Sequence, residues 1–401
     1  MNMVKYPGGK ERELDVIHNF MPERINNYYE PFVGGGAVYL SVDASHYFIN
    51  DFSKDLINLY QCVADRNEDF FIKMALLNGL WKSIDKYAEK ENELFHVYTS
   101  FRDGIIKEDV LIDSIRKNIE KNKEVILSFI TPIDCGDTDH YIENLPGDFA
   151  KKFIRMKKLN FTKMMISDED IRANILGVYK AAFYTYIRSL YNRRNEFSDG
   201  FKAMLYLFIR DFCYSSMFRY NANGEFNVPY GGISYNKKNY DGTFEKYDSL
   251  QISERIKRTT LGCADYLEFL RKYQPEEGDF LFLDPPYDSS FSTYDQNPFD
   301  AKEQECLASY LINECRCSFM LDIKYTDYIA SLYPEGTKCR NGGEVRIESF
   351  DKNYSVSFMN RNDKKAKHIL VLNYQAETGS NKGNEVISKY TRRQPDARAR
   401  A

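Results

Sequence analysis

Tyr28-Tyr29-Glu30-Pro31-Phe32-Val33-Gly34-Gly35-Gly36 reads as a short apolar strand that runs into three consecutive glycines. The next residues, Ala37 to Val42, predict a helix, so the unit is strand, turn, helix. Tyr47-Phe48-Ile49-Asn50-Asp51 reads as a second strand closed by an acid. Behind it Leu56, Ile57, Leu59, Tyr60 and Val63 recur at helical spacing. Apolar strands alternating with helices imply a parallel sheet covered on both faces. The same texture returns much later, in Asp279 to Asp284, in Cys317 to Leu321 and in His368 to Tyr374. The fold class is therefore α/β, with one domain formed by residues 1–65 and 250–375 and split by an insertion at 66–249. Within the insertion, stretches such as Leu111 to Leu127 predict long, mixed-charge helices, whereas residues 220–245 are rich in Gly, Asn and Tyr and read as loops and hairpins. The polar tail at 376–401 carries Arg392, Arg393, Arg398 and Arg400 and reads as disordered.

Composition narrows the function classes. The 401 residues are 43% hydrophobic and 28% charged, an ordinary globular balance that excludes disorder throughout. A net charge of −4 gives no global basic field, so an anionic partner must be met by a local patch. One candidate patch is the cluster Lys151, Lys152, Arg155, Lys157, Lys158 and Lys163, which reads equally well as a phosphate contact and as a solvated helical face. The eight cysteines include no CxxC pair, and the five histidines are scattered. Neither points to a metal site, and the cysteines read as reduced thiols of a cytoplasmic protein. No apolar run approaches the roughly 18 residues a membrane span needs, and Met1 to Lys10 has no apolar signal core.

Two motifs carry chemistry. The Gly34-Gly35-Gly36 turn fits neither GxGxxG nor GxxxxGK[ST], so a ligand with a ribose and no phosphates suits it better than a nucleotide phosphate. Asp51 stands where Rossmann-like folds place a ribose-binding acid, and its plain alternative is a cap on the helix that opens near Ser53. Asp284-Pro285-Pro286-Tyr287 follows an apolar strand. Two prolines make a rigid extended turn that holds an acid and an aromatic ring at the sheet edge. An acceptor beside a planar ring suits an aromatic amine, although a structural Asp-Pro turn would read the same way.

Taken together and in order, these segments resemble the Dam-type DNA adenine-N6 methyltransferases, the D12 class with α-order motifs. Lys5-Tyr6-Pro7-Gly8-Gly9-Lys10 looks like the family's N-terminal cofactor motif, Glu30 to Tyr39 like its methionine-binding turn, Asn50 to Ile57 like its ribose motif, and Asp284 to Tyr287 like its catalytic tetrapeptide. Phe218 to Gly231 is similar to the family's target-recognition hairpin. The resemblance implies a Rossmann-like methyltransferase domain, using S-adenosyl-L-methionine and releasing S-adenosyl-L-homocysteine, with an inserted, mainly helical target-recognition domain that carries a β-hairpin. It implies that Tyr6, Lys10, Glu30, Phe32, Gly34, Gly36, Asp51 and Asp284 bind the cofactor. Asp284 and the Pro285 carbonyl would accept hydrogen bonds from the adenine amino group, with Pro286 fixing the turn and Tyr287 stacking on the flipped base. Lys5, Tyr214, Met217, Arg219, Asn221 and Pro229 would meet DNA. No metal is called for.

By the same resemblance the substrate is double-stranded DNA, read at a short site similar to GATC, and the partner a cognate restriction endonuclease or none. The chain is expected to be a monomer or weak dimer, nucleoid-associated when bound to DNA. Arg219 has two readings, a bidentate contact to guanine or a phosphate contact or salt bridge. Ser215 and Ser216 depart from the Asn-Gly that often follows the aromatic residue corresponding to Tyr214. Residues 85–180 find no counterpart. Two other functions are open: methylation of RNA or another amine, which usually goes with Asn in place of Asp284, and a non-catalytic DNA-binding relative, which has no chemical need for Lys10, Asp51 and Asp284.

Overall fold

In the computed structural model, residues 1–6, 8–133, 135, 138–162, 166–286, 299–353 and 365–376 are described. The chain divides into two compact units, residues 1–57 with 254–401 and residues 58–253. The cuts fall at 57/58 and 253/254 rather than at the 65/66 and 249/250 read from texture.

The first unit is built on a seven-stranded sheet: β1 (Asn27–Glu30), β2 (His46–Asn50), β3 (Thr259–Gly262), β4 (Phe280–Leu283), β5 (Ser318–Lys324), β6 (Arg346–Asn353) and β7 (Lys365–Leu372). Their order is β3-β2-β1-β4-β5-β7-β6. β3, β2, β1, β4 and β5 run parallel, and β7 lies antiparallel between β5 and β6. Every residue of β4 is buried, as expected of a central parallel strand covered on both faces. Capped helices cover the sheet: Asp265 accepts from Leu267 N and Glu268 N, Asp300 from Glu303 N, and Thr326 from Ile329 N.

This order places the site. From β1 the chain moves to β2 on one side, while β4 pairs with β1 on the other, in the register Tyr28 to Phe280 and Tyr29 to Leu281. The strand order reverses between β1 and β4, and ligands of open α/β sheets bind beyond the carboxyl ends at such a point. The Gly turn and Asp284 follow those two carboxyl ends.

The helix expected at 37–42 is not formed. That segment is a run of turns, held by Leu40 N to Gly36 O at 3.0 Å and Ser41 N to Val38 O at 2.8 Å. The guanidinium of Arg255 takes the carbonyls of Tyr39 and Val42, which a continuing helix would need.

The second unit is mainly helical, with long helices at Glu68–Lys90, Glu108–Lys121, Asp139–Thr162, Asp168–Asn192 and Asp199–Phe212. Trp81 is buried against Phe212, Phe208 and Phe183, with ring centroids 4.5, 5.5 and 5.8 Å away, so this part of the aromatic excess is core. Where a hairpin is expected, Tyr220 and Phe226 form one isolated antiparallel bridge, and Cys213 and Tyr230 another. Asn221 N to Glu225 O at 2.8 Å closes the turn between the first pair. Among the described residues no helix is long and apolar enough to cross a membrane.

Candidate active site

The glycines after β1 answer to close approach by the chain itself. Gly34 and Gly36 have φ of +48° and +72°, a region that disfavours side chains. A Cβ on Gly35 would stand 2.6 Å from the Val4 carbonyl oxygen, and one on Gly34 would stand 3.2 Å from the Tyr6 ring. Met3 N donates to Gly35 O at 2.7 Å, so the N-terminal segment is bound along the turn. Tyr6 is half-buried there, whereas Lys5 is exposed.

Asp51 ties this turn to the next element. One carboxylate oxygen accepts from Gly34 N at 3.1 Å and the other from Ser53 N at 2.9 Å. The same acid thus orients the Gly turn and the entry to the helix Lys54–Ala64, whose first turn is capped by Ser53, its hydroxyl accepting from Leu56 N at 3.4 Å. Asn50 beside it binds the backbone of Pro31 and Ala264 and locks the ends of β1, β2 and β3 together.

Glu30 closes β1 with only 3% of its surface exposed, and accepts from Tyr28 OH at 2.7 Å. Burial holds its carboxyl well above the usual range, with the nearby charges of Asp284 and Asp51 pushing the same way. Phe32 packs at 5.2 Å from the Tyr266 ring and edge-on to Phe299 at 5.6 Å, which gives the turn an aromatic wall. These acids and aromatics form a set suited to a cationic ligand with hydroxyls.

Asp284, just past β4, is half-buried and lies 2.9 Å from the ammonium of Lys10. The same ammonium is 3.1 Å from Asp322 of β5. Lys10 is 3% exposed and Asp322 is fully buried, so the cation is held between two carboxylates away from water. Asp322 in turn meets His368 of β7, Nδ1 to Oδ1 at 3.2 Å, with both side chains fully buried. A carboxylate only accepts, so Nδ1 carries the proton of that bond. Pro285 is buried and Pro286 exposed, and the Pro286 carbonyl accepts from the buried Gln304 amide at 3.4 Å. Tyr287 lies outside the described residues.

The structure thus brings Lys10, Glu30, Asp51 and Asp284 to one end of one sheet. Sequence reasoning missed Asp322 and took His368 for a scattered structural histidine. The signal was present: an acid inside Ser318-Phe319-Met320-Leu321-Asp322-Ile323 is a charge in a strand that is otherwise apolar and buried.

Apart from Lys5, which is in the first unit, the residues expected to meet DNA lie in the second unit. Tyr214 is 48% exposed, and Arg219 and Pro229 are exposed. Met217 is half-buried. Arg219 donates to Asn227 Oδ1 at 3.1 Å. The Asn221 side chain builds its own turn: Oδ1 accepts from Asn223 N and Glu225 N at 2.9 Å each, and Nδ2 donates to Glu225. Ser215 and Ser216 both hold left-handed backbone, at φ +54° and +53°. The turn keeps the conformation that an Asn-Gly pair favours, without those residues. Of the basic cluster, Lys163 lies outside the described residues and Lys157 points inward, onto the Phe101 carbonyl and ring. Lys151, Arg155 and Lys158 are exposed. Among the described residues no group of three or more His, Cys, Asp or Glu side chains is placed to hold a metal ion.

Comparison with known proteins gives a consistent set. The chain matches the sequence model of the D12 class N6 adenine-specific DNA methyltransferases over residues 6–164 and 148–347. It is 36% identical over 132 residues to the retron Ec67 DNA adenine methylase of Escherichia coli, a match covering 33% of this chain and 43% of that protein. Less than half the length of that relative is therefore spanned. The chain is 27% identical to the type II methyltransferase M.MjaIII of Methanocaldococcus jannaschii, over 49% of this chain and 78% of the relative. It is 24% identical to the DNA adenine methylase of Serratia marcescens, over 76% of this chain and 75% of that protein.

Proposed function

The chain belongs to the D12 class of N6 adenine-specific DNA methyltransferases, and from that premise we propose that it transfers a methyl group from S-adenosyl-L-methionine to N6 of adenine within a short, specific sequence of duplex DNA. The observation that carries the reading is that Asp284 follows β4 at the strand-order reversal, at the same end of the sheet as Glu30, Asp51 and the glycine turn.

The cofactor supplies an electrophilic methyl on a sulfonium. Its fit to this chain rests on the donor set: Asp51 takes ribose hydroxyls, Glu30 answers a cationic methionine end, and Phe32 and Tyr6 enclose the rest. The amino nitrogen of adenine is a poor nucleophile because its lone pair is conjugated with the ring. Asp284 accepts one amino proton in a hydrogen bond and the Pro285 carbonyl accepts the other, which favours the tetrahedral nitrogen that attacks. Positioning and electrostatics do most of this work. The target lies inside the duplex, so the base is flipped out at a cost of a few kcal/mol, and Tyr287 stacks on it. Arg219 reads a guanine edge, Met217 and Pro229 touch neighbouring bases, and Lys5 and Tyr214 hold the strand. The turn from Phe218 to Gly231 favours a site similar to GATC. A cognate restriction endonuclease is a natural companion, since M.MjaIII is named a type II methyltransferase.

The test is methylation of unmodified duplex DNA by the purified protein with S-adenosyl-L-methionine, mapped by single-molecule sequencing. N6-methyladenine in one short motif is expected. Modification of RNA alone, or of no nucleic acid while the cofactor still binds, would move the assignment to another amine or to a DNA-binding role without catalysis.

A further inference from the structure

The charge chain around Asp284 runs deeper than transfer chemistry requires. Asp284 contributes an acceptor and Lys10 a neighbouring cation, yet Lys10 is shared with Asp322, and Asp322 is itself held by His368. These groups come from four parts of the first unit: the N-terminal segment, the end of β4, β5 and β7. Asp322 and His368 are fully buried, and a buried acid and imidazole are retained at a cost unless they are used.

The geometry points to Asp322, held by His368, as a positioning residue that sets the basicity of Asp284 through Lys10. Were Lys10 paired with Asp284 alone, its full charge would fall on the one carboxylate that must accept from the substrate amine. That would weaken Asp284 as an acceptor. Asp322 draws the ammonium to a second carboxylate and adds a negative charge of its own, so Asp284 stays the better acceptor. His368 fixes the rotamer of Asp322 by donating from Nδ1. The charged and titratable groups around Asp284 include Lys10 from the N-terminal segment, Glu30 from β1, which also feels Asp51, and Asp322 from β5 with His368 behind it on β7. The inference rests on the proposed role of Asp284 toward an amine.

Asp322→Asn removes a negative charge near Asp284 at almost constant volume. With one fewer negative neighbour the Asp284 carboxyl ionises at lower pH and accepts less strongly. We expect the acidic limb of the kcat/KM profile to move down by about one pH unit, and kcat to fall by about tenfold, with KM for DNA and cofactor little changed. Asp322→Glu restores a charge and should recover much of both, which a purely structural role would not predict. His368→Gln should lie between. The same proteins, carrying carboxyl-labelled aspartate, are to be titrated by NMR, with Asp284 assigned from its substitution. A pH profile and an Asp284 titration that both stay put in Asp322→Asn would overturn the inference. If the unaltered protein methylates no adenine, the reading of the site fails, and the NMR titration still decides whether Asp322 sets the ionisation of Asp284.

Discussion

The ammonium of Lys10 lies 2.9 Å from the carboxylate of Asp284, so a residue near the start of the chain completes a site opened by the fourth strand. Asp284→Ala should abolish adenine methylation while leaving most DNA affinity, because the acceptor for the amine is lost and the second unit is untouched. Lys10→Met should do more. It leaves Asp284 and the fully buried Asp322 facing each other uncompensated, a change that costs about 3–5 kcal/mol in buried pairs. Urea unfolding and methyl transfer, measured on both variants, separate the two effects. Equal stability in both would show that the Lys10 pair is not buried as described.

Glu30 gives a pH prediction with a definite sign. Its carboxyl is held well above the ordinary value of 4.5, chiefly by burial. A raised acid binds its proton more tightly in the fold, so its contribution to stability is fully present below about 4.5 and is lost as pH rises through the folded value. Glu30→Gln keeps an acceptor for Tyr28 and cannot ionise. The variant should therefore gain in Tm relative to the unaltered protein as pH rises from about 4.5 toward the raised folded value. Cofactor binding should run the other way: a cation beside Glu30 favours the ionised form, so affinity weakens as pH falls, and Glu30→Gln removes that dependence. Calorimetry across pH checks both, and parallel curves for the two proteins would contradict the assignment.

How much of this was legible in the sequence follows from what each strand must hide. β1, β2, β4, β5 and β7 announce themselves, because central strands are apolar on both faces and leave continuous runs such as Phe280 to Leu283. β3 and β6 do not. They are the two edges of the sheet, and an edge strand such as Arg346-Ile347-Glu348-Ser349-Phe350-Asp351-Lys352-Asn353 carries charges that read as loop. The motif residues Glu30, Asp51 and Asp284 were legible for the opposite reason, as polar groups fixed to strand ends. Lys10 gained its full meaning only when the fold set it between two strands. Asp322 was missed because its partner His368 is far along the chain, and pairing across β5 and β7 leaves no local spacing to read.

The turn at Ser215 and Ser216 holds a removable strain. Both residues sit at positive φ, and the buried hydroxyl of Ser216 has no hydrogen-bond partner among the described residues. Left-handed backbone costs a residue with a Cβ roughly 1–2 kcal/mol, part of which glycine returns through its looser unfolded chain. Ser216→Gly should stabilise the protein by about 0.5–1 kcal/mol, and the double change to Asn-Gly somewhat more. A lowered urea midpoint for Ser216→Gly would mean that the hydroxyl or the backbone is held by something other than this geometry.

Arg219 and Asn221 should separate on substitution. Arg219 is exposed, and among the described residues its guanidinium is bonded on one edge only, to Asn227, so its remaining donors can face a base. Arg219→Ala should cost about 1–3 kcal/mol in discrimination and relax the site at one position. The Asn221 side chain is spent on its own turn, so Asn221→Ala should lower stability and weaken binding to all sequences alike. Methylation of a randomised duplex library reads the difference. Loss of one base preference in the Asn221 variant, with none lost for Arg219, would reverse the two roles.

The basic cluster on helix Asp139–Thr162 is thinner than its sequence suggests, and that sharpens its test. Lys157 is bound to the Phe101 carbonyl and lies 4.1 Å from the Phe101 ring centroid, and Lys152 is half-buried, so neither is a free surface charge. Lys157→Glu would act mainly through stability. Lys151 and Arg155 are exposed, with Lys151 only loosely paired to Asp148 at 3.7 Å. If they touch phosphates, the Lys151→Glu, Arg155→Glu protein should bind every DNA sequence more weakly. The slope of log affinity against log salt should then fall by about one for each phosphate no longer neutralised. If the helix face is merely solvated, affinity and slope will both stay unchanged, while Lys157→Glu still lowers the unfolding midpoint.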